Sequence, residues 1–466
     1  MRKPAPVLII LLLTIQLLTG PQLFVSSAQT TTPIKHVVVI MMENHSFDNI
    51  FGLYPTMNTS SPNSLMASLQ KPEDVLNVSQ DTAQALHQVP NGTYATANPD
   101  ESVYLQDWNN GKMNGFSNSG TQSMTYYSSS QLAVEWDWAE EYAIGDRYFS
   151  SCMCQTNPNR LFSLSGYAAE LTYDDGPPPY IPVNQTIFSE LSQNGISWSY
   201  YLKDPSIDNF PLNYFSGIKS YSQNINSWSD FGNSLQNGTL PSVSWVMPVG
   251  GGAYGVDQHP IDNMTEGQTW LLGIVNEVMS SPYWNSTAIF VTYDEGGGYY
   301  DQVSPPTVEG VQLGFRVPLF LISPFAKENY VSHTIMNHAS ILAFIDYNWQ
   351  LPALNQFVAD SSLPIDMFDF SQARTPMILQ STSQFPADPQ IPFSQLAYSR
   401  QGLSTQTLSS MGSQTFIHNN SSNIPVFRYG EFIIGVTVVL VGALIGIGYF
   451  RITRRRKTSA RIGPDM

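Results

Sequence analysis

Four short blocks hold the residues of this chain that could do chemistry. They are Glu43-Asn44-His45-Ser46-Phe47-Asp48, Thr156-Asn157-Pro158-Asn159-Arg160, His259-Pro260 and Asp294-Glu295-Gly296-Gly297-Gly298. Glu43 and Asn44 offer a carboxylate and an amide oxygen, donors suited to a hard or borderline divalent cation. Asp294 and Glu295 set two acids side by side, which repel unless a cation or a proton lies between them. The glycines that follow let the backbone bend and approach a ligand closely. Taken singly, each block reads as a capped turn or a solvated acidic loop. Two acidic strand ends in one chain, with a hydroxyl and a histidine elsewhere, tip the balance towards metal-assisted ester hydrolysis.

Thr156 stands before Asn157-Pro158, a pattern that predicts a helix start with Thr156 as N-cap. The N–H groups of a helix start favour anions, a phosphoryl group among them. A metal-bound hydroxyl there would lose its proton more easily and turn nucleophilic. From this block alone the plain cap is the favoured reading. Of the seven histidines, His259 follows the Gly250-Gly251-Gly252 turn, and His333 and His338 bracket a predicted helix start. A loop histidine near such a site can protonate a leaving oxygen or bind a phosphoryl oxygen. His36, His87 and His418 read as surface residues.

These blocks need elements to hold them. Apolar runs rich in β-branched residues predict strands at 34–41, 243–247, 287–293 and 317–323. Amphipathic stretches predict helices at about 159–165, 266–280 and 334–347. Strands separated by helices indicate an α/β domain with a mostly parallel sheet, whose ligands gather at the carboxyl ends of strands. Glu43 and Asp294 each follow such a strand. Residues 55–130 and 197–240 are polar and read as long insertions that cover the site, the second one rich in aromatics.

The 466 residues carry a formal net charge of −16, with only 12% charged side chains. An acidic surface argues against nucleic acid as a partner. Residues 1–28 form a secretory signal: Arg2 and Lys3, an apolar run from Val7 to Leu18, and the small residues Ser26-Ser27-Ala28. A second uncharged run, 431–450 after its leading Glu431, is long enough to span a bilayer. The basic tail 451–466 follows, with Arg454-Arg455-Arg456-Lys457, and fixes that end in the cytoplasm. The expected order is signal peptide, catalytic domain 29–398, polar linker 399–430, single-pass anchor and tail, with the domain outside the cell membrane. Asn-X-Ser/Thr triplets at Asn44, Asn58, Asn77, Asn91, Asn184, Asn237, Asn263, Asn285, Asn419 and Asn420 are candidate glycan sites. Cys152 and Cys154 exclude a disulfide framework by count. Their spacing favours two small buried apolar side chains over a bridge; a thiolate metal site is the third reading.

The stretch Ile34 to Gly52 resembles the opening motif of the phosphoesterase family, which holds phosphatidylcholine-type phospholipases C and related bacterial acid phosphatases. Further matches are Thr156 to Arg160, Ser244-Trp245 through His259-Pro260, Gly267-Gln268, Thr292 to Gly297, Arg316-Val317-Pro318, His333 and His338-Ala339-Ser340. The resemblance implies an alkaline-phosphatase-like α/β core and a divalent metal ion of unknown identity. It implies Glu43, Asn44, Asp294 and Glu295 as ligands, and Thr156 as both ligand and nucleophile. His259 and His333 would line the phosphoryl pocket, joined by His338, while Arg160 would be structural. The substrate would be a phosphate ester, either a phospholipid or a small monoester. One departure stands out. The family usually carries a histidine upstream of its Gly-Lys-Met-Asp-Gly-Phe block; here Asp100 to Trp108 contains none, and Asn114 replaces the acid in Gly111-Lys112-Met113-Asn114-Gly115-Phe116. The competing reading is a catalytically impaired surface or adhesion protein that keeps the fold.

Overall fold

The computed structural model describes residues 29–52, 86–90, 97, 101–174, 181–206, 211–250, 255–260 and 262–379. The expected signal, linker, anchor and tail lie outside the described residues, as does much of 55–130. Among the described residues no helix is long and apolar enough to cross a membrane.

The strand His36–Met42 is buried from Val37 onward. A run with no polar face fits only the middle of a sheet covered on both sides. Around it forms an eight-stranded sheet. Its strands in chain order are β1 His36–Met42, β2 Ala143–Gly145, β3 Trp198–Leu202, β4 Ile225–Ser227, β5 Val243–Val246, β6 Thr287–Tyr293, β7 Leu319–Ile322 and β8 Tyr330–Ser332. They lie in the order β8-β2-β7-β6-β1-β5-β3-β4. Every pairing is parallel except the two made by β7. The helices that matter here are α1 Phe47–Phe51, α2 Glu101–Trp108, α3 Ala133–Glu141, α4 Thr156–Ser165, α5 Ile187–Gln193, α6 Trp228–Asn237, α7 Met264–Ser280 and α8 Ala339–Trp349. α4 packs against α5 and α8, and α7 packs against α3 and α6. The expected mixed α/β architecture with a mostly parallel sheet is present.

Several expectations are corrected. β7 runs antiparallel because the connection 294–318 contains no helix to carry the chain back across the sheet. Residues 197–240 are not a cover. They form β3, β4 and α6, with Tyr200, Tyr201 and Trp228 buried in the core. Their polar residues satisfy one another internally: Ser199 Oγ donates to Asn224 O at 2.8 Å and accepts from Asn226 Nδ2 at 2.6 Å. The last helix starts at Ala339, not 334, because Met336–Asn337 pairs with Tyr148–Phe149 as a short strand. Cys152 and Cys154 are bonded as a disulfide and not separate thiols.

A buried ion cluster locks the opening motif to the sheet. Arg316 Nη2 reaches Asp48 Oδ1 at 2.9 Å and its Nε reaches Asp301 Oδ1 at 2.9 Å, all three side chains fully buried. Arg316 Nη1 also donates to Asp146 O at 2.9 Å, and the guanidinium lies 4.7 Å from the Phe47 ring centre. Removing one member of such a cluster strands its partners' charges in the interior. Arg316→Ala should therefore cost about 3–5 kcal/mol, read as a fall in the urea midpoint; an unchanged midpoint would contradict this role.

A second buried acid sets a pH dependence. Glu135 Oε1 accepts from Gln258 Nε2 at 2.8 Å, while its Oε2 is buried without a partner. Burial pushes this carboxyl from 4.5 up to about 7, against the Gln258 hydrogen bond. The folded protein binds that proton more tightly than the unfolded chain, so stability is lost as pH rises through 7. Glu135→Gln should be more stable than the parent at pH 8 and differ little near pH 5; identical pH profiles of the unfolding midpoint would refute the assignment.

Candidate active site

The parallel pairing of β1 with β6 sets Met42 opposite Tyr293. The residues that follow therefore leave the sheet side by side. Asn44 N donates to Asp294 Oδ1 at 3.1 Å, and Glu295 N donates to the same oxygen at 2.8 Å. Asn44 is in the left-handed region at φ 62°. Gly297, at φ +65°, lies against it so tightly that a Cβ would sit 2.1 Å from Asn44 O. This close approach explains the glycine run.

Helix α4 enters over the same strand ends. Its N-cap is Gln155, so Thr156 is the first helical residue and not the cap expected from the sequence. The reason is local. Asn159 Nδ2 reaches back to Cys152 O, Cys154 O and Gln155 O, winding the disulfide loop onto the helix start. Thr156 Oγ1 donates to Asn44 Oδ1 at 3.4 Å. Arg160, four residues on and so on the same helix face, spans both strand ends. Its Nε is 3.1 Å from Asp294 Oδ2 and its Nη2 is 2.9 Å from Glu43 Oε1. Glu43, Asn44, Thr156, Arg160, Asp294 and Glu295 are thus joined by direct contacts.

One guanidinium bridges two carboxylates, Glu43 and Asp294. Burial raises the Glu43 carboxyl to about 7, with Arg160 opposing and Asp294 adding to the rise. Glu295 is raised well above the usual carboxylate range, by burial first and the Asp294 charge second. Its Oε1 is buried with no partner, while its Oε2 accepts from Gly297 N at 2.6 Å and from the Tyr104 hydroxyl. Among the described residues, no three His, Cys, Asp or Glu side chains by themselves form a metal-holding group. The donor set here instead includes an amide and a hydroxyl. An orphaned carboxylate oxygen, uncompensated negative charge and all-oxygen donors fit a hard divalent cation.

The histidines fall in different places. His259 Nδ1 lies 3.0 Å from Pro260 O, an acceptor only, so Nδ1 carries the proton and Nε2 is the variable nitrogen. Its turn is tied to the site, because Asp257 O accepts from Glu43 N at 2.8 Å and Asp257 Oδ1 from His259 N at 2.9 Å. His338 is buried, with Nδ1 3.0 Å from the Tyr148 hydroxyl and Nε2 2.7 Å from Asp294 O. Both nitrogens are engaged within the protein, and burial lowers its pKa to about 4. It holds the Asp294 backbone. His333, with 40% of its side chain exposed, pairs with the buried Asp146 at 2.9 Å on the loop after β8. His45 is buried between Asn49 Oδ1 (2.7 Å) and Gln258 O (2.9 Å).

Two residues of the site carried no clear sequence signal. Tyr104, from α2, reaches Glu295 across 191 residues of sequence. It lies in the stretch where a histidine was expected, and that gap was its only signal. Asp174 Oδ1 accepts from Asn157 N at 2.6 Å, so a carboxylate sits on the start of α4 where the sequence pointed to an anion. Its acidic neighbourhood reads like any solvated turn.

Strand-end acids, an amide and a hydroxyl thus meet at one helix start. The sequence matches the Phosphoesterase family over residues 34–352, and the chain belongs to that family. It is similar to "Phospholipase C B" of Mycobacterium tuberculosis, 25% identical over 397 residues that cover 70% of this chain and 75% of that protein. "Non-specific phospholipase C4" of Arabidopsis thaliana is 28% identical over 65% of this chain and 64% of its own length. For "Non-hemolytic phospholipase C" of Pseudomonas aeruginosa the identity is 27% over 67% of this chain, but only 53% of that protein is spanned. Family and relatives mark the chain as a phosphoric ester hydrolase. Among solved structures, a protein of the alkaline phosphatase superfamily from Vibrio parahaemolyticus aligns over 71% of this chain and 70% of that chain at 10% identity, with a TM-score of 0.34. That likeness is too distant to carry weight.

The tight contact between two left-handed residues gives a prediction. In Gly297→Ala the methyl must push Asn44 aside, and a misplacement of about 1 Å can cost on the order of 100-fold in rate. The variant should keep its substrate KM within a few-fold but lose most of kcat on an aryl phosphate. Undiminished kcat would show that Asn44 need not sit where it does.

Proposed function

We propose that this protein hydrolyses phosphoric esters outside the cell, with Thr156 as nucleophile and a divalent cation bound by Glu43, Asn44, Thr156, Asp294 and Glu295. The observation that supports it most is Thr156 Oγ1 directed at the Asn44 amide oxygen, between two acidic strand ends and at the first residue of α4. When bound, the cation lowers the pKa of a coordinated hydroxyl and draws in the phosphoryl oxygens. Thr156 Oγ1 attacks phosphorus as its proton passes to solvent; the P–O bond to the alcohol breaks, and the leaving oxygen takes a proton from His259 Nε2 or from water. Water then cleaves the phosphothreonine and restores the hydroxyl. Arg160 holds Glu43 and Asp294 in place throughout. His333, paired with Asp146, is the histidine left to meet phosphoryl oxygens; His338, with both nitrogens engaged, holds the Asp294 backbone instead and is not a substrate ligand.

A phospholipid is the favoured substrate. A cavity of about 1030 Å³ is lined largely by apolar side chains such as Leu105, Trp108, Met153, Phe162, Tyr167 and Leu171. Its walls include α2, which carries Tyr104, the disulfide loop that leads into Thr156, and the segment that leads to Asp174. Leu105 and Tyr167 stand about half exposed at its edge, as an apolar entry for a lipid tail requires. The disulfide supports an oxidising compartment, in keeping with the exported, membrane-anchored order read from the sequence. Asn184, Asn237, Asn263 and Asn285 are exposed and open to glycans, whereas Asn44 is buried.

Purified protein should release phosphocholine from phosphatidylcholine vesicles, lose that activity on chelation and regain it when a divalent ion is returned. Thr156→Ala should abolish turnover with the fold intact. Turnover of aryl phosphate alone, with no lipid hydrolysed, would favour the monoester; chelator-resistant turnover would remove the cation.

A further inference from the structure

The block Gly111-Lys112-Met113-Asn114-Gly115-Phe116 supplies no residue to the chemistry above, yet it is built to deliver one. Gly115 lies so close under α2 that a Cβ would be 2.0 Å from Gln106 O. The block therefore clamps the carboxyl end of α2. Met113 and Phe116 join Tyr104, Met153 and Phe315 in a small apolar cluster separate from the main core. Tyr104 stands edge-on to Phe315, ring centres 5.6 Å apart, and Phe315 packs on Phe116 at 5.0 Å. The Tyr104 ring is thus fixed on its apolar sides, and its single polar atom is spent on Glu295 Oε2. Gly297 N donates to the same oxygen at 2.6 Å. Two donors hold one carboxylate oxygen, and the other, Oε1, is buried with none.

We propose that Tyr104 is a positioning residue for the bound cation. Its hydroxyl, with Gly297 N–H, fixes Glu295 so that Oε1 alone faces the ion. In this chain Tyr104 stands where the resemblance led us to expect a histidine. A phenol donates to the ligand carboxylate as an imidazole N–H would, and orientation of this kind sets metal affinity. The inference rests on the proposed cation site, and its test separates the two.

Mn²⁺, Ca²⁺ and Zn²⁺ are titrated singly into chelator-stripped full-length protein by calorimetry. For the ion that binds the parent most tightly, Tyr104→Phe keeps the ring and loses the donor, and should weaken binding about 10–100-fold with the thermal midpoint nearly unchanged. Tyr104→His returns a donor and should recover binding to within a few-fold of the parent. A role in packing alone gives the opposite order: Phe neutral, His damaging. A parent that binds none of the ions overturns both the cation site and this role. A parent that binds while Tyr104→Phe matches it overturns the Tyr104 role alone.

Discussion

The whole site depends on one register. Because β1 and β6 are neighbours, parallel and paired Met42 to Tyr293, their carboxyl ends fall side by side. Slipping either strand by one residue would turn every side chain to the opposite face. Ladders on both edges of β1, to β5 and to β6, hold it in place. The sheet thus fixes not only the fold but the distance between two acids 251 positions apart in name, Glu43 and Asp294, to what one guanidinium can span.

That proximity has an electrostatic cost, and the structure shows how it is divided. Arg160 compensates part of the negative charge, and two N–H groups on Asp294 Oδ1 disperse more. The strain that remains shows at Glu43 and Glu295, where burial, with the Asp294 charge adding to it, raises the hold on a proton. A cation would relieve both. By contrast, the cluster of Arg316, Asp48 and Asp301 is closed on itself and fully buried. Similar residue types meet in both places, and the difference lies in the unpartnered oxygen of Glu295.

Much of this was legible in the sequence. The β-branched apolar runs located four strands, three of them parallel, because a strand covered on both faces has no polar side to show. The strand-end acids followed from them, and Asn44, Thr156, Asp294 and Glu295 are indeed brought together. Three things were hidden. The polarity of Ser199, Asn224 and Asn226 disguised β3 and β4, since hydrogen bonds between side chain and backbone neutralise it internally. The disulfide was hidden because two cysteines one residue apart meet the required geometry only where the chain bends, as it does when Asn159 gathers the loop. Tyr104 was hidden because contact across 191 residues leaves no local pattern. A missing histidine marked the place but not the replacement.

In the proposed reaction Thr156 forms a covalent bond to phosphorus. The most direct test of that bond is mass spectrometry of the protein quenched in acid during turnover of a slow phosphate ester. A phosphoryl group should appear on Thr156 with substrate and be lost as product forms. A phosphoryl group on another residue, or none on the enzyme while phosphate is still released, would contradict it.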